Sequence, residues 1–136
     1  MSGPVIPPKD VVLVVDDEME VRRAVTLALS EAGFTAEIAE NGKQGLGLFL
    51  QKQERICLVI SDVVMPVLDG IRMAEKIAEI DPNVKILFMT SYSEAELRVL
   101  ARTRYPLVRK PLLPADLTAA IERLLATGDT QSAGQS

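Results

Sequence analysis

Residues 11–18 read Val11-Val12-Leu13-Val14-Val15-Asp16-Asp17-Glu18, five apolar and mostly β-branched side chains running directly into three acids. A run this short, without polar alternation, fits a strand buried on both faces, as in the interior of a parallel sheet. Ile56–Ser61 and Val84–Thr90 have the same character, and Phe34–Ala39 and the less regular Tyr105–Arg109 supply two further runs. Pro106 inside the last of these points to an edge or irregular strand, because proline has no N–H to give a ladder.

The segments between the runs follow the 3.6-residue period of a helix. Val21, Ala24, Val25, Ala28 and Ala32 mark one face of a first helix, with Gly33 placed to stop it. Asn41-Gly42 opens a second helix carrying Leu46, Phe49 and Leu50, and Ile71, Ala74, Ile77 and Ala78 line a third that ends at Asp81-Pro82-Asn83. Ser93, followed three residues later by Glu96, is a capping-box pattern for a fourth helix that buries Leu97, Leu100 and Ala101. Leu117, Ala120, Ile121 and Leu124 mark a fifth, with Pro114 near its start. Strict alternation of five strands and five helices predicts an α/β fold with a parallel sheet, right-handed crossovers and helices on both faces. The patterned part, 11–126, forms one domain between a proline-rich leader, 1–10, and a Gly/Ser/Gln/Thr-rich tail, 127–136, both expected to be flexible.

Composition narrows the function. The chain has 136 residues, 48% hydrophobic and 25% charged, which excludes disorder as the whole answer. A formal net charge of -4 argues against a nucleic-acid binder, and no apolar stretch approaches the about 18–20 residues needed to cross a bilayer. The single cysteine, Cys57, suits a reducing, cytoplasmic setting. There is no histidine, so histidine acid–base chemistry and most zinc sites are excluded.

In open parallel sheets the chemistry gathers at the carboxyl ends of the strands. Strand one ends in Asp16-Asp17-Glu18, strand three runs into Asp62, strand four ends in Thr90-Ser91 and strand five ends at Lys110-Pro111. Each has a plainer reading alone: a helix N-cap with first-turn acids, a polar strand end, a β-former capping a loop, a solvated lysine. Together they put several carboxylates, a hydroxyl and an ammonium on one rim. Crowded carboxylates repel unless a cation compensates, and an all-oxygen donor set selects magnesium. A carboxylate nucleophile, a divalent cation, an ammonium and a hydroxyl are the parts of phosphoryl transfer through an acyl phosphate.

Val12-Leu13-Val14-Val15-Asp16-Asp17-Glu18, Ser61-Asp62-Val63-Val64-Met65-Pro66 with Asp69-Gly70, Met89-Thr90-Ser91 and Arg109-Lys110-Pro111, in this order and spacing, resemble the receiver domain of two-component response regulators. The resemblance implies the flavodoxin-like strand order 2-1-3-4-5 of CheY-like proteins, a topology for which a chemotaxis receiver is itself a reference case. It implies Asp62 as phosphoacceptor, with Thr90 and Lys110 binding the phosphoryl group. It further implies Mg2+ held by Asp17, Asp62 and the backbone carbonyl of Val64, with Asp16 acting largely through water, and a cis bond before Pro111. The phosphoryl donor would be a histidine kinase or histidine phosphotransfer protein, since this chain has no histidine of its own. Such a protein catalyses its own phosphorylation and dephosphorylation and is not a conventional enzyme. Its downstream protein target would dock on the face made by the fourth helix, fifth strand and fifth helix.

Some positions depart from the family pattern. Leu107 stands where an aromatic switch residue is usual, with Tyr105 one pleat further from the site; Val67 replaces a common glycine, and Leu112 a frequent phenylalanine. Val64 and Tyr92, two positions past Asp62 and Thr90, are expected to hinder attacking water and prolong the phosphoryl group's lifetime. Arg98, Arg102, Arg104 and Arg109 form either a solvated basic face or a dock for an acidic partner. Ten residues after Ala126 are too few for a DNA-binding module, so a single-domain regulator is expected; a receiver cut from a hybrid sensor kinase would read alike. A haloacid-dehalogenase-like phosphatase would instead use Asp16 and Glu18 and leave Asp62 idle.

Overall fold

The computed structural model describes residues 9–91, 93, 94, 96, 98, 105–110 and 113–126. Five parallel strands, β1 (Val11–Val15), β2 (Thr35–Ala39), β3 (Ile56–Asp62), β4 (Lys85–Thr90) and β5 (Leu107–Arg109), form one sheet in the order β2-β1-β3-β4-β5. The helices are α1 (Met19–Glu31), α2 (Gly42–Lys52), α3 (Gly70–Ile80) and α4 (Pro114–Ala126), the last being the fifth of the sequence reading. Its fourth falls largely outside the described residues, as do Leu97, Leu100 and Ala101; Glu94, Glu96 and Arg98 are helical. The leader to Pro8, the tail from Thr127, and Tyr92, Arg102, Arg104, Pro111 and Leu112 also lie outside them.

Alternation along β1 divides the core. Val11, Leu13 and Val15 join Phe49, Val59, Met73, Ile77 and Phe88 on the α2–α3 side. Val12 and Val14 join Val25, Leu29, Leu58, Ile60, Leu87, Leu117 and Ile121 on the α1–α4 side. Each face of the sheet is therefore apolar, which is why β1, β3 and β4 lack a polar alternation. β2 and β5 are the edges, and β2 leaves Ile38 half exposed.

Local chemistry sets the element ends. At the end of α1, Gly33 takes φ +92° while its N–H reaches the Ser30 carbonyl and the Phe34 N–H reaches that of Leu29, the paired bonds of a glycine C-cap. Asn41 and Asp69 cap α2 and α3 by accepting the N–H of Gln44 at 2.9 Å and of Arg72 at 2.8 Å. β5 begins only after Pro106, shorter than the Tyr105–Arg109 run suggested. Tyr105 thus lies ahead of the strand rather than one pleat along it; its ring meets Phe88 edge-on, with centroids 5.4 Å apart.

The β3–α3 connection is held at both sides. The Gly42 N–H donates to the Leu68 carbonyl and the Gly70 N–H to the Val63 carbonyl. A Cβ on Gly42 would strike the Leu68 carbonyl, and one on Gly70 the carbonyl of Asp62 itself, so both glycines permit a close approach of backbones. Between them Val67 sits at φ +72°, a left-handed conformation that a β-branched side chain resists by about 1–2 kcal/mol. Its side chain is exposed and has little packing to lose. Val67→Gly is expected to raise stability by about 0.5–1 kcal/mol after the greater chain entropy of glycine is offset, seen as a higher urea midpoint at unchanged slope. Gly70→Ala is expected to destabilise by about 2 kcal/mol or more, because the displaced neighbour is backbone.

Candidate functional site

Sheet register assembles the rim. Val15 pairs with Ser61, so the next residues, Asp16 and Asp62, emerge side by side from β1 and β3. Asp62 pairs with Met89 and Thr90 with Arg109, and the Lys110 N–H continues the ladder to the Thr90 carbonyl at 2.8 Å. Asp16, Asp62 and Thr90 are buried at 0%, 6% and 0% exposure, whereas Asp17 is exposed.

The Lys110 ammonium reaches back across the rim to lie 3.1 Å from Asp16 Oδ2, 3.4 Å from Asp62 Oδ1 and 3.8 Å from Glu18 Oε1. Asp16, Asp17 and Asp62 each offer a carboxylate oxygen within 4.8 Å of the others. Three acids thus share one ammonium. Asp16 Oδ1 accepts the Glu18 N–H at 2.8 Å, which starts α1, but Glu18, the N-cap residue, caps nothing with its own side chain. Asp16 Oδ2 is buried, and what meets it is the Lys110 ammonium, an ion-pair partner shared with Asp62 and Glu18. A buried carboxylate oxygen met only by a shared ammonium, within an all-oxygen cluster, fits a hard divalent cation. Val64, whose carbonyl the sequence reading adds to this set, follows in the β3–α3 connection with its side chain exposed.

Backbone contacts fix the nucleophile candidate. Asp62 Oδ1 accepts the N–H of Val63 at 2.9 Å, and the Ser61 hydroxyl donates to the Asp62 carbonyl at 2.8 Å. Arg22, which sequence reasoning passed over, donates from its guanidinium to the Asp16 carbonyl at 2.8 Å; its place one turn into α1 was the available signal. Thr90 stands at the rim, yet its hydroxyl donates to Glu96 Oε1 at 2.6 Å. The expected capping box is therefore only half formed. Ser93 Oγ accepts the Glu96 N–H at 3.2 Å, but the Glu96 carboxylate turns to Thr90 and to the Ser91 N–H and hydroxyl.

Burial and mutual repulsion set the protonation of the cluster. Desolvation, then the neighbouring Asp16 charge, push Asp62 from 3.8 up to about 6 against the pull of Lys110. Desolvation also raises Asp16, against its hydrogen bond from Glu18 and the Lys110 charge. Burial alone would lower Lys110, but the Asp16 and Asp62 carboxylates hold it above its ordinary value. Glu96 feels desolvation upward, yet hydrogen bonds from Thr90 and Ser91 leave it lowered and ionised at neutral pH.

The raised Asp62 value has a thermodynamic sign. Below 3.8 the carboxyl is protonated whether folded or unfolded; between 3.8 and about 6 the unfolded chain ionises while the folded one holds its proton, so stability falls across that window and stays lowered above it. Asp62→Asn removes that penalty. In metal-free protein the expected gain is about 1–2 kcal/mol near pH 7–8, reduced from the full shift by the lost attraction to Lys110, and vanishing below about pH 4. Urea unfolding of both proteins across this range measures it.

Known proteins resemble this chain in sequence and fold. Residues 12–122 match the family model of the response regulator receiver domain. The chain is 32% identical over 116 residues to the response regulator receiver protein CpdR of Brucella abortus, covering 84% of this chain and 95% of that one. It is 31% identical over 120 residues to the sensor kinase CckA of the same organism, covering 87% of this chain but 13% of that protein. It also spans about half the length of the probable transcriptional regulators ycf27 that it matches. Among solved structures, a response regulator receiver domain protein from Clostridium thermocellum superposes with a TM-score of 0.76 at 27% identity, covering 85% of this chain and 94% of that one. Sheet order and sequence agree: the chain belongs to the response regulator receiver domain family of two-component signal transduction.

Proposed function

We propose that Asp62 accepts a phosphoryl group from a phosphohistidine on a sensor histidine kinase or histidine phosphotransfer protein. The observation that carries this reading is the Lys110 ammonium set between Asp16 and Asp62 within a cluster of carboxylates that it only partly neutralises. Asp62 Oδ1 is engaged by the Val63 N–H and Lys110, which leaves Oδ2 to attack phosphorus as the donor's P–N bond breaks and the electron pair departs with the imidazole. The nearby ammonium of Lys110 offsets charge on the phosphoryl oxygens, and the Thr90 hydroxyl supplies a donor once turned toward them.

Mg2+ would be held by Asp16, Asp17, Asp62 and the Val64 carbonyl, and would supply positive charge to the transferring group. The exposed Val64 side chain beside Asp62 then limits the approach of water and lengthens the life of the acyl phosphate. Phosphorylation biases a pre-existing equilibrium at the face formed by the segment after β4, β5 and α4, where a downstream protein docks. Arg98 and Arg109 are exposed on this side and favour an acidic partner. The receiver unit spans 11–126 and works in the cytoplasm; no described helix is long and apolar enough to cross a membrane.

Incubation with acetyl phosphate and Mg2+ tests the reading. One phosphoryl group per chain is expected by intact mass, sensitive to hydroxylamine, lost on Asp62→Asn and on chelation. Lys110→Ala is expected to slow the labelling about 100-fold. Labelling that survives Asp62→Asn, or steady turnover that depends on Asp16, would refute it.

A further inference from the structure

Thr90 and Glu96 carry a consequence for how readily the site responds to a phosphoryl group. The Thr90 hydroxyl has one proton, and in this structure it is donated to Glu96 Oε1 at 2.6 Å. A carboxylate is acceptor-only, and so are the oxygens of a phosphoryl group. Both anions therefore need the same proton, and Thr90 cannot serve both at once.

Glu96 is built to hold its claim. It is buried at 7% exposure, its position is fixed by the Ser93 hydroxyl accepting its N–H at 3.2 Å, and Thr90 is fully buried. It is also insured against losing Thr90, because the Ser91 N–H at 2.9 Å and the Ser91 hydroxyl at 3.2 Å continue to satisfy the same oxygen. Giving up Thr90 thus costs Glu96 one of three donors and leaves no unpaired buried charge. Such an exchange is reversible and modest in energy, as a threshold requires.

We propose that Glu96 is a positioning residue of the phosphoryl-transfer site, a resident anion that retains the Thr90 hydroxyl until a phosphoryl group on Asp62 competes for it. This rests on the reading of Asp62 as phosphoacceptor. Glu96 then sets the affinity of the site for a phosphoryl group.

Beryllofluoride with Mg2+, followed by 19F NMR of the bound form, measures this without any turnover. Wild type, Glu96→Ala, Thr90→Val and the double variant form a cycle. Glu96→Ala is expected to tighten binding about 10- to 150-fold, the range of one hydrogen bond to a charged group. Thr90→Val is expected to weaken it, and adding Glu96→Ala to Thr90→Val to change it less than about 2-fold. Glu96→Gln, which keeps a weaker neutral acceptor and the fold around Ser91 and Ser93, is expected to shift binding the same way by less. A Glu96→Ala gain equally large without the Thr90 hydroxyl would reduce Glu96 to a general repulsive charge and overturn the proposal, as would weaker binding in both Glu96 variants. Failure of the phosphoacceptor reading looks different: beryllofluoride binding would be absent from wild type or retained by Asp62→Asn, and the proposal would fall with it.

Discussion

Carboxylates buried beside one another repel, and the C-terminal rim of this sheet depends on the one ammonium that makes their proximity tolerable. Lys110 lies within ion-pair reach of Asp16, Glu18 and Asp62, acids delivered from β1, the turn after it, and β3. Its reach ties the edge strand β5 to the centre of the sheet. Even so, Asp62 stays about 6, and a buried oxygen of Asp16 is met only by that shared ammonium. The rim is thus under-neutralised by construction, and a divalent cation or a proton relieves it.

The same rim shows how a parallel sheet separates stability from chemistry. Asp16, Asp62 and Thr90 lie one residue past, or at, the ends of β1, β3 and β4, strands that are largely buried and apolar. The Asp62 backbone is held by Ser61 and by the close approach of Gly70, so the carboxylate is presented by a rigid element. Thr90 differs: its backbone belongs to β4, but its hydroxyl is committed to Glu96 outside the sheet. Under the proposed function, a fixed carboxylate beside a hydroxyl with two possible acceptors would both accept a group and register it.

Much of this was legible in the chain. The apolar runs at Val11–Val15, Ile56–Ser61 and Val84–Thr90 identified the central strands, because residues buried on both faces have no polar alternation to hide them. The acids, hydroxyl and lysine that follow the runs were readable because open sheets bring such ends together. The edge was less legible: Tyr105–Arg109 looked like a strand, but Pro106 has no N–H for the ladder and the strand starts after it. Ser93 and Glu96 carry a capping-box spacing that is only half used, since local spacing does not reveal that a buried threonine hydroxyl competes for the same carboxylate.

The sequence by itself determined the layered α/β architecture and the residue types at the rim, since both follow from periodicity and from where apolar runs stop. Tertiary structure alone decided which charges pair. Lys110 meets Asp16 and Asp62, and Glu96 accepts the hydrogen bond of the Thr90 hydroxyl, through distances between residues far apart or out of phase in the chain. No local pattern encodes such distances; they are fixed only when strand register and helix packing are complete.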